Sequence, residues 1–372
     1  MLEAIQRILS LTLKELLAIF KDPRGRFTLF VPPIFQCLIF GYAASYNLNH
    51  VPYAVLDQDR SAASSEFLAQ LDGTQIFRRV ANLESAADLN RYIDERRALV
   101  VLQIGQDFER RLMLGQMAEV QVIADGRNSN TAGTALGYLD SIVQSFNADW
   151  REEQGLPAAP VRIDTRAWFN PNLETRWNMV PAMIGTLTML QTLLLTALSV
   201  ARERENGTFD QLLVTPIRPI ELLAGKALPS ILIGMVQATT ILLVAQLWFH
   251  IPFVGSFFTL YFGFTLFLLA AVGIGLLISS VVGTMQQALL FTFVLVLPFT
   301  LLSGLTTPVS SMPRFLQQVT LINPLRYAID QTLRIYLEGA GMPDLTGDFW
   351  PLAIIATLTL SASTWMFRHR LA

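Results

Sequence analysis

Residues 27–46 read FTLFVPPIFQCLIFGYAASY, a stretch with no charged side chain between Arg26 and a long polar region. A helix of about 20 apolar residues crosses the hydrocarbon core of a bilayer. Five further runs follow, all crowded into the second half: Met179–Val200, Ala227–Phe249, Phe257–Val282, Ala288–Leu305 and Trp350–Phe367. The layout predicts an α-helical polytopic membrane protein with six transmembrane helices and a water-exposed domain inserted between the first two.

Composition agrees. Hydrophobic residues make up 52% of the chain and charged residues only 15%. The charges gather in Leu2–Arg26, Asp57–Arg176, Arg202–Lys226 and Pro308–Asp348, leaving the spans almost free of them. Burying an ionised group in the bilayer costs several kcal/mol, which accounts for that segregation. A net charge of −2 with no basic patch argues against a nucleic-acid partner. Cys37 is the single cysteine, so no intramolecular disulfide can form.

Ahead of the first span, residues 1–26 predict an interfacial helix. Ile5, Ile8, Leu9, Leu13, Leu16, Leu17 and Phe20 share one face, with Glu3, Arg7, Ser10 and Lys14 opposite. Charged Lys14, Glu15 and Lys21 interrupt the segment, so it does not read as a cleavable signal peptide. Basic residues before span one, between spans two and three, and after span six fall on one side. The positive-inside rule makes that side the cytoplasm and places both termini there.

Residues 47–176 then face outward. Their pattern alternates strands (Tyr53–Leu56, Gln75–Val80, Ala98–Ile104, Glu119–Ala124, Val161–Ala167) with helices (Ser61–Leu71, Glu84–Arg96, Gln106–Leu114, Asn128–Glu153). This predicts an α/β domain. Asp57 and Asp59 end the first strand, where ligands bind in many α/β folds; turn and helix-capping roles are the plainer reading. No Gly-x-Ser-x-Gly elbow is present, and the composition offers no ordinary zinc site. Gly225-Lys226 lacks the flanking residues of a phosphate-binding loop, so no motif for ATP hydrolysis is visible and no bound cofactor or metal is expected. Gly273-x-Gly275 lies inside a span and reads as helix packing.

The remaining 177–372 form a five-helix region with two connecting segments of note. Loop 201–226 carries Arg202, Glu203, Arg204, Glu205, Gly207, Thr208, Gln211, Leu212, Thr215 and Pro216. Thr208 and Gln211 have capping-box spacing, which predicts a short helix stopped at Thr215-Pro216. Such an element is either a mechanical contact for a cytoplasmic partner or a capped connector. Segment 306–338 holds two short amphipathic pieces, one with Phe315, Leu316, Val319 and Ile322, the other with Leu325, Ile329 and Leu333.

Thr188, Gln191, Thr192 and Thr196 on span two, with Gln237 and Thr240 on span three, are polar residues at membrane depth. They either bond helices together or line a mildly polar pathway for an amphiphilic substrate. No Asp, Glu, Lys or Arg lies at depth, which counts against an ion-coupled secondary transporter. A ligand-binding receptor held by a membrane anchor is the other alternative, but it has no need of five clustered spans.

Arg202-Glu203-Arg204-Glu205-Asn206-Gly207-Thr208, followed by Gln211-Leu212-Leu213-Val214-Thr215-Pro216-Ile217, resembles the cytoplasmic signature of ABC-2 type transporter permeases. Phe169-Asn170-Pro171-Asn172-Leu173 with Met179-Val180-Pro181 resembles the mouth of the second span in that family. Leu302-Ser303-Gly304, Met312-Pro313 and Asn323-Pro324-Leu325-Arg326-Tyr327 resemble its segment after the fifth. Asn178 departs from the apolar residue expected there. The similarity is greatest to a bacterial subgroup associated with drug and xenobiotic export. The resemblance implies a permease subunit of the bacterial inner membrane, paired with an identical or sister permease and surrounded by lipid. It further implies separate cytoplasmic ATPase subunits that use the ATP, touched by residues 2–20 and 208–214. A periplasmic adaptor on the outer domain would be a further partner. Segment 306–338 would re-enter the outer leaflet as a lid, where an external amphipathic hairpin is the plainer reading.

Overall fold

The computed structural model describes residues 2–43, 48, 50–127, 129–155, 169–170, 174–205, 207 and 218–370. The chain divides into two compact units, Ser45–Arg166 and the discontinuous pair Met1–Ala44 with Ala167–Ala372.

The inserted unit alternates β1 (Val51–Asp57), α3 (Ala62–Gly73), β2 (Phe77–Asn82), α4 (Ala87–Asp94), β3 (Val100–Ile104), α5 (Phe108–Met113), β4 (Val120–Ala124) and α6 (Ser129–Glu153). The two helices that precede β1, α1 (Leu2–Lys21) and α2 (Pro23–Ala43), belong to the other unit. The four strands lie in the order β2-β1-β3-β4, with β1 parallel to β2 and β3, and β4 antiparallel at the edge. One face buries Tyr53, Val55, Leu102 and Ile104 beneath Phe67, Phe108, Phe146 and Trp150. The other buries Ala54, Leu56 and Val101 beneath Leu89 of α4. Alternate residues of one strand thus serve two cores, as the two-residue period requires.

Asp57 and Asp59 are occupied by structure here. Asp57 Oδ1 accepts from the amides of Asp59 and Arg60, its Oδ2 accepts from Ser64 Oγ, and Asp59 Oδ2 accepts from the Glu109 amide. They cap turns and helix starts. Tyr53 is buried, donates to Asp72 at 2.6 Å and accepts from Arg79 Nε at 3.0 Å. Burial, then the Asp72 carboxylate, push its hydroxyl well above the usual tyrosine value. The strand expected at Val161–Ala167 lies outside the described residues.

The second unit is helical. It holds α1, α2, α7 (Thr175–Glu205), α8 (Pro219–Leu243, continued as a π-turn over Val244–Trp248), α9 (Phe257–Val281) and α10 (Met285–Leu301). Short pieces follow, among them α11 (Arg314–Val319) and α12 (Pro324–Leu333), before α13 (Thr346–Arg370). Among the described residues, four helices are long and apolar enough to cross a membrane: Thr175–Glu205, Ile220–Trp248, Phe257–Val281 and Pro343–His369. The other two sequence runs fall in α2 and in the 17-residue α10.

Helix α9 sits centrally, in contact with α7, α8, α12 and α13. Glycines let it approach. A Cβ at Gly275 would lie 2.8 Å from Thr196 Cβ, and one at Gly273 would lie 2.2 Å from Thr359 Oγ1. Small residues at such crossings are how membrane helices gain van der Waals contact without a hydrophobic driving force.

Of the two amphipathic pieces after α10, the second is built into the main core. Leu325, Ala328 and Ile329 are buried, and they face Gly185 of α7. Asn323 caps α12 by accepting from the Leu325 amide, while its Nδ2 donates to the Phe299 carbonyl at 2.8 Å. Phe315 and Ile322 of the first piece remain exposed.

Candidate coupling site at one end of the helical unit

Helix α7 ends on Arg202-Glu203-Arg204-Glu205, and Gly207 stops it in the left-handed region at φ +67, with its amide donating to the Arg204 carbonyl. Glycine takes that conformation at no steric cost, which makes it the common helix terminator. Thr208, Gln211, Leu212, Thr215 and Pro216, with the capping box expected there, lie outside the described residues.

The two charges closing α7 reach the short turn between α9 and α10. Arg204 Nη1 donates to the backbone oxygens of Ser280 and Val282 at 3.2 and 3.0 Å, and its guanidinium stands 5.9 Å from the Phe367 ring centre. Glu205 Oε2 accepts from the Met285 amide at 2.8 Å. A cation therefore meets the last carbonyls of one helix and a carboxylate the first amide of the next. Both match the helix dipoles and use backbone groups that the helices leave unpaired.

Glu203 turns the other way, into a cluster with α8 and α1. Lys226 Nζ is 2.6 Å from Glu203 Oε2 and donates to Glu15 Oε1 and Ser199 Oγ, each at 3.2 Å. Lys14 Nζ lies 3.8 Å from Glu203 Oε1. Further along α1, Arg7 makes a two-pronged pair with Glu221 at 3.1 and 3.2 Å. Glu221 Oε2 also accepts the Arg218 amide at the start of α8. Leu11 lies so close to α8 that a Cβ at Gly225 would come within 2.7 Å of its own.

This amends one expectation. Lys226 reads in the sequence as a loop residue marking orientation, yet α8 begins at Pro219 and holds Lys226 buried within it. On α1, Arg7 and Glu15 pair with α8 while Ile5, Leu9, Leu13, Leu17 and Phe20 stay exposed. Arg7, Glu15, Glu221 and Lys226 thus join the site although the motif does not include them. The one signal was the presence of opposite charges near helix ends.

Thr188, Thr192, Thr196 and Gln237 are buried inside the single chain. Thr196 donates to the Thr192 carbonyl at 2.7 Å and Gln237 Nε2 to the Leu187 carbonyl at 3.4 Å. Thr192 faces Gly234 of α8. The Oγ1 atoms of Thr188 and Thr192 and Oε1 of Gln237 have no hydrogen-bond partner among the described residues. Gln191 is half-buried, and Thr240 donates to the Val236 carbonyl of its own helix.

These features define a helical membrane protein with a charged, closely bonded end on its central helices. A model of ABC-2 family transporter proteins matches residues 24–365. The chain is 38% identical over 364 residues to the probable multidrug ABC transporter permease YbhR of Escherichia coli (strain K12), covering 98% of this chain and 99% of that protein. It is 31% identical over 341 residues to the probable multidrug ABC transporter permease YbhS of the same organism, covering 90% and 89%. Identity to that organism's inner membrane transport permease YhhJ is 28% over 374 residues, covering 98% and 97%. The chain belongs to the ABC-2 transporter family and is a permease of that class.

Proposed function

We propose that the chain is the membrane subunit of an ATP-driven exporter in a bacterial inner membrane, moving drugs or other amphiphilic compounds out of the cytoplasm or inner leaflet. The observation that carries this reading is the end of α7, where successive charges bind the α9–α10 turn and, through Lys226, α8 and α1. A push on the connection after Gly207 would be delivered to most of the helical unit. The names carried by YbhR and YbhS support drugs as cargo.

In this reading separate ATPase subunits dock at that end, contacting Thr208, Gln211, Leu212, Thr215 and Pro216, and use the ATP; this chain binds no cofactor. Helices α2 and α10 join the four longer ones to make six crossings, with both termini in the cytoplasm and the sheet-bearing unit in the periplasm. A second permease, identical or a sister, completes the pore, and a periplasmic adaptor meets the outer unit. Residues 306–338 close the outer mouth. Gln191 and Thr240 line the pathway at rest, and Thr188, Thr192, Thr196 and Gln237 do so when α7 and α8 part.

Proteoliposomes holding the chain with and without its ATPase, loaded with a fluorescent amphiphilic dye, test the reading. Dye movement is expected only with ATPase and ATP together. Movement that persists without the ATPase and follows a proton gradient would overturn it. Thr208→Pro is expected to abolish ATPase capture while leaving membrane insertion intact.

A further inference from the structure

Lys226 Nζ donates hydrogen bonds to Glu15 and Ser199 and forms a 2.6 Å ion pair with Glu203 Oε2. Its side chain is 2% exposed, and the carboxylates that hold it come from two helices other than its own. A surface lysine paired with one carboxylate swings freely, whereas a buried one held by two hydrogen bonds and an ion pair from different helices has a single position. Breaking one contact leaves the remaining charges unbalanced out of water, so the cluster resists partial opening. Lys14 against Glu203 and Arg7 against Glu221 add two more bridges between α1 and the same pair of helices.

We propose that Lys226 is a positioning residue that makes α1, α7 and α8 one rigid piece. Leu11 packed against Gly225 sets how closely α1 approaches α8, and the exposed stripe from Ile5 to Phe20 lies away from that contact. The ionic cluster selects one rotation and one height, since Glu15 must meet Lys226 while Arg7 meets Glu221. The inference rests on the proposed coupling only for where the push originates; the rigid piece itself is a property of this chain.

Pulsed electron-spin distances in the full chain, reconstituted in vesicles of inner-membrane lipid, provide the test. Labels go at exposed Leu9 of α1 and Leu232 of α8, in a Cys37→Ser background. The parent protein is expected to give one narrow distance. Lys226→Met should lose it, giving a broad distribution, while Lys226→Arg should keep it. If Lys226→Met fails to fold, Glu15→Gln reads the same loss with the Lys226–Glu203 pair intact. A narrow parent-like distance in a folded Lys226→Met or Glu15→Gln protein overturns the proposal. ATPase capture, measured beside it, judges the coupling reading separately: failed capture with the spin result upheld would sink only that reading.

Discussion

Arg204 Nη1 lies 3.0 Å from the backbone oxygen of Val282, the residue at which α9 ends. With Ser280 also in reach, one guanidinium satisfies two terminal carbonyls. Arg204→Ala should leave both short of a partner and cost about 1–3 kcal/mol. A Lys, lacking the planar fork, should recover only part. Thermal unfolding in detergent measures both, and an unchanged midpoint for Arg204→Ala would show the contact to be idle.

Gly275 and Thr196 test helix approach. Gly275→Ala places a methyl 2.8 Å from Thr196 Cβ, an overpacking expected to cost about 1–3 kcal/mol. Adding Thr196→Gly removes the opposing atom and should return part of that loss, so the pair should be non-additive in a double-mutant cycle. Additive losses would mean that the two helices separate freely.

The unpartnered hydroxyls of Thr188 and Thr192 distinguish packing from a pathway. Valine keeps the shape and removes an oxygen that has no hydrogen bond here. Thr188→Val and Thr192→Val should therefore leave stability unchanged or raise it by up to about 1 kcal/mol. Dye transport should nevertheless fall if the hydroxyls meet substrate when the helices part. A stable variant with full transport would confine both residues to packing.

Asn323 holds two elements, accepting from the Leu325 amide and donating to the Phe299 carbonyl. Asn323→Ala should cost about 1–2 kcal/mol, the upper range for a helix cap. Faster proteolysis between Leu302 and Met312 would report it.

Acid sensitivity in the inserted unit has a named origin. The Arg127 guanidinium, hydrogen-bonded to Asp125 at 2.7–3.0 Å, holds that carboxyl below its ordinary value of 3.8. A lowered folded value means the pair stabilises the unit above the ordinary value, and that stability drains away as the pH falls through the folded one. Hydrogen exchange of the β3–β4 amides, corrected for intrinsic rates, should rise between about pH 5 and about pH 3 more steeply in the parent than in Asp125→Asn. Equal slopes would assign the acid response to other groups.

Much of the local structure was legible because local rules decide it. Ser61 caps α3 through Ser64, as its position before an apolar-periodic run suggests. The long helix read from Asn128 begins at Ser129. Gly273 and Gly275 read as packing residues, and the structure supplies Thr359 and Thr196 as what they pack against. The site was less legible. Lys226 and Glu15 stand 211 residues apart, and no periodicity carries information across that distance. The start of α8 was legible, since Pro219 fits a first helical turn, but not that Lys226 would be buried within that helix, because its charge is offset only in three dimensions.

The discontinuity of the helical unit has a consequence for biosynthesis. Arg7 and Glu15 are made long before Glu221 and Lys226, their partners 214 and 211 residues later. At about 5–20 residues per second, those charges wait roughly 10–40 s without counter-ions while the sheet-bearing unit is synthesised. Over that interval Arg7 and Glu15 lack the helix they later pair with, and the finished chain still leaves the stripe from Ile5 to Phe20 uncovered.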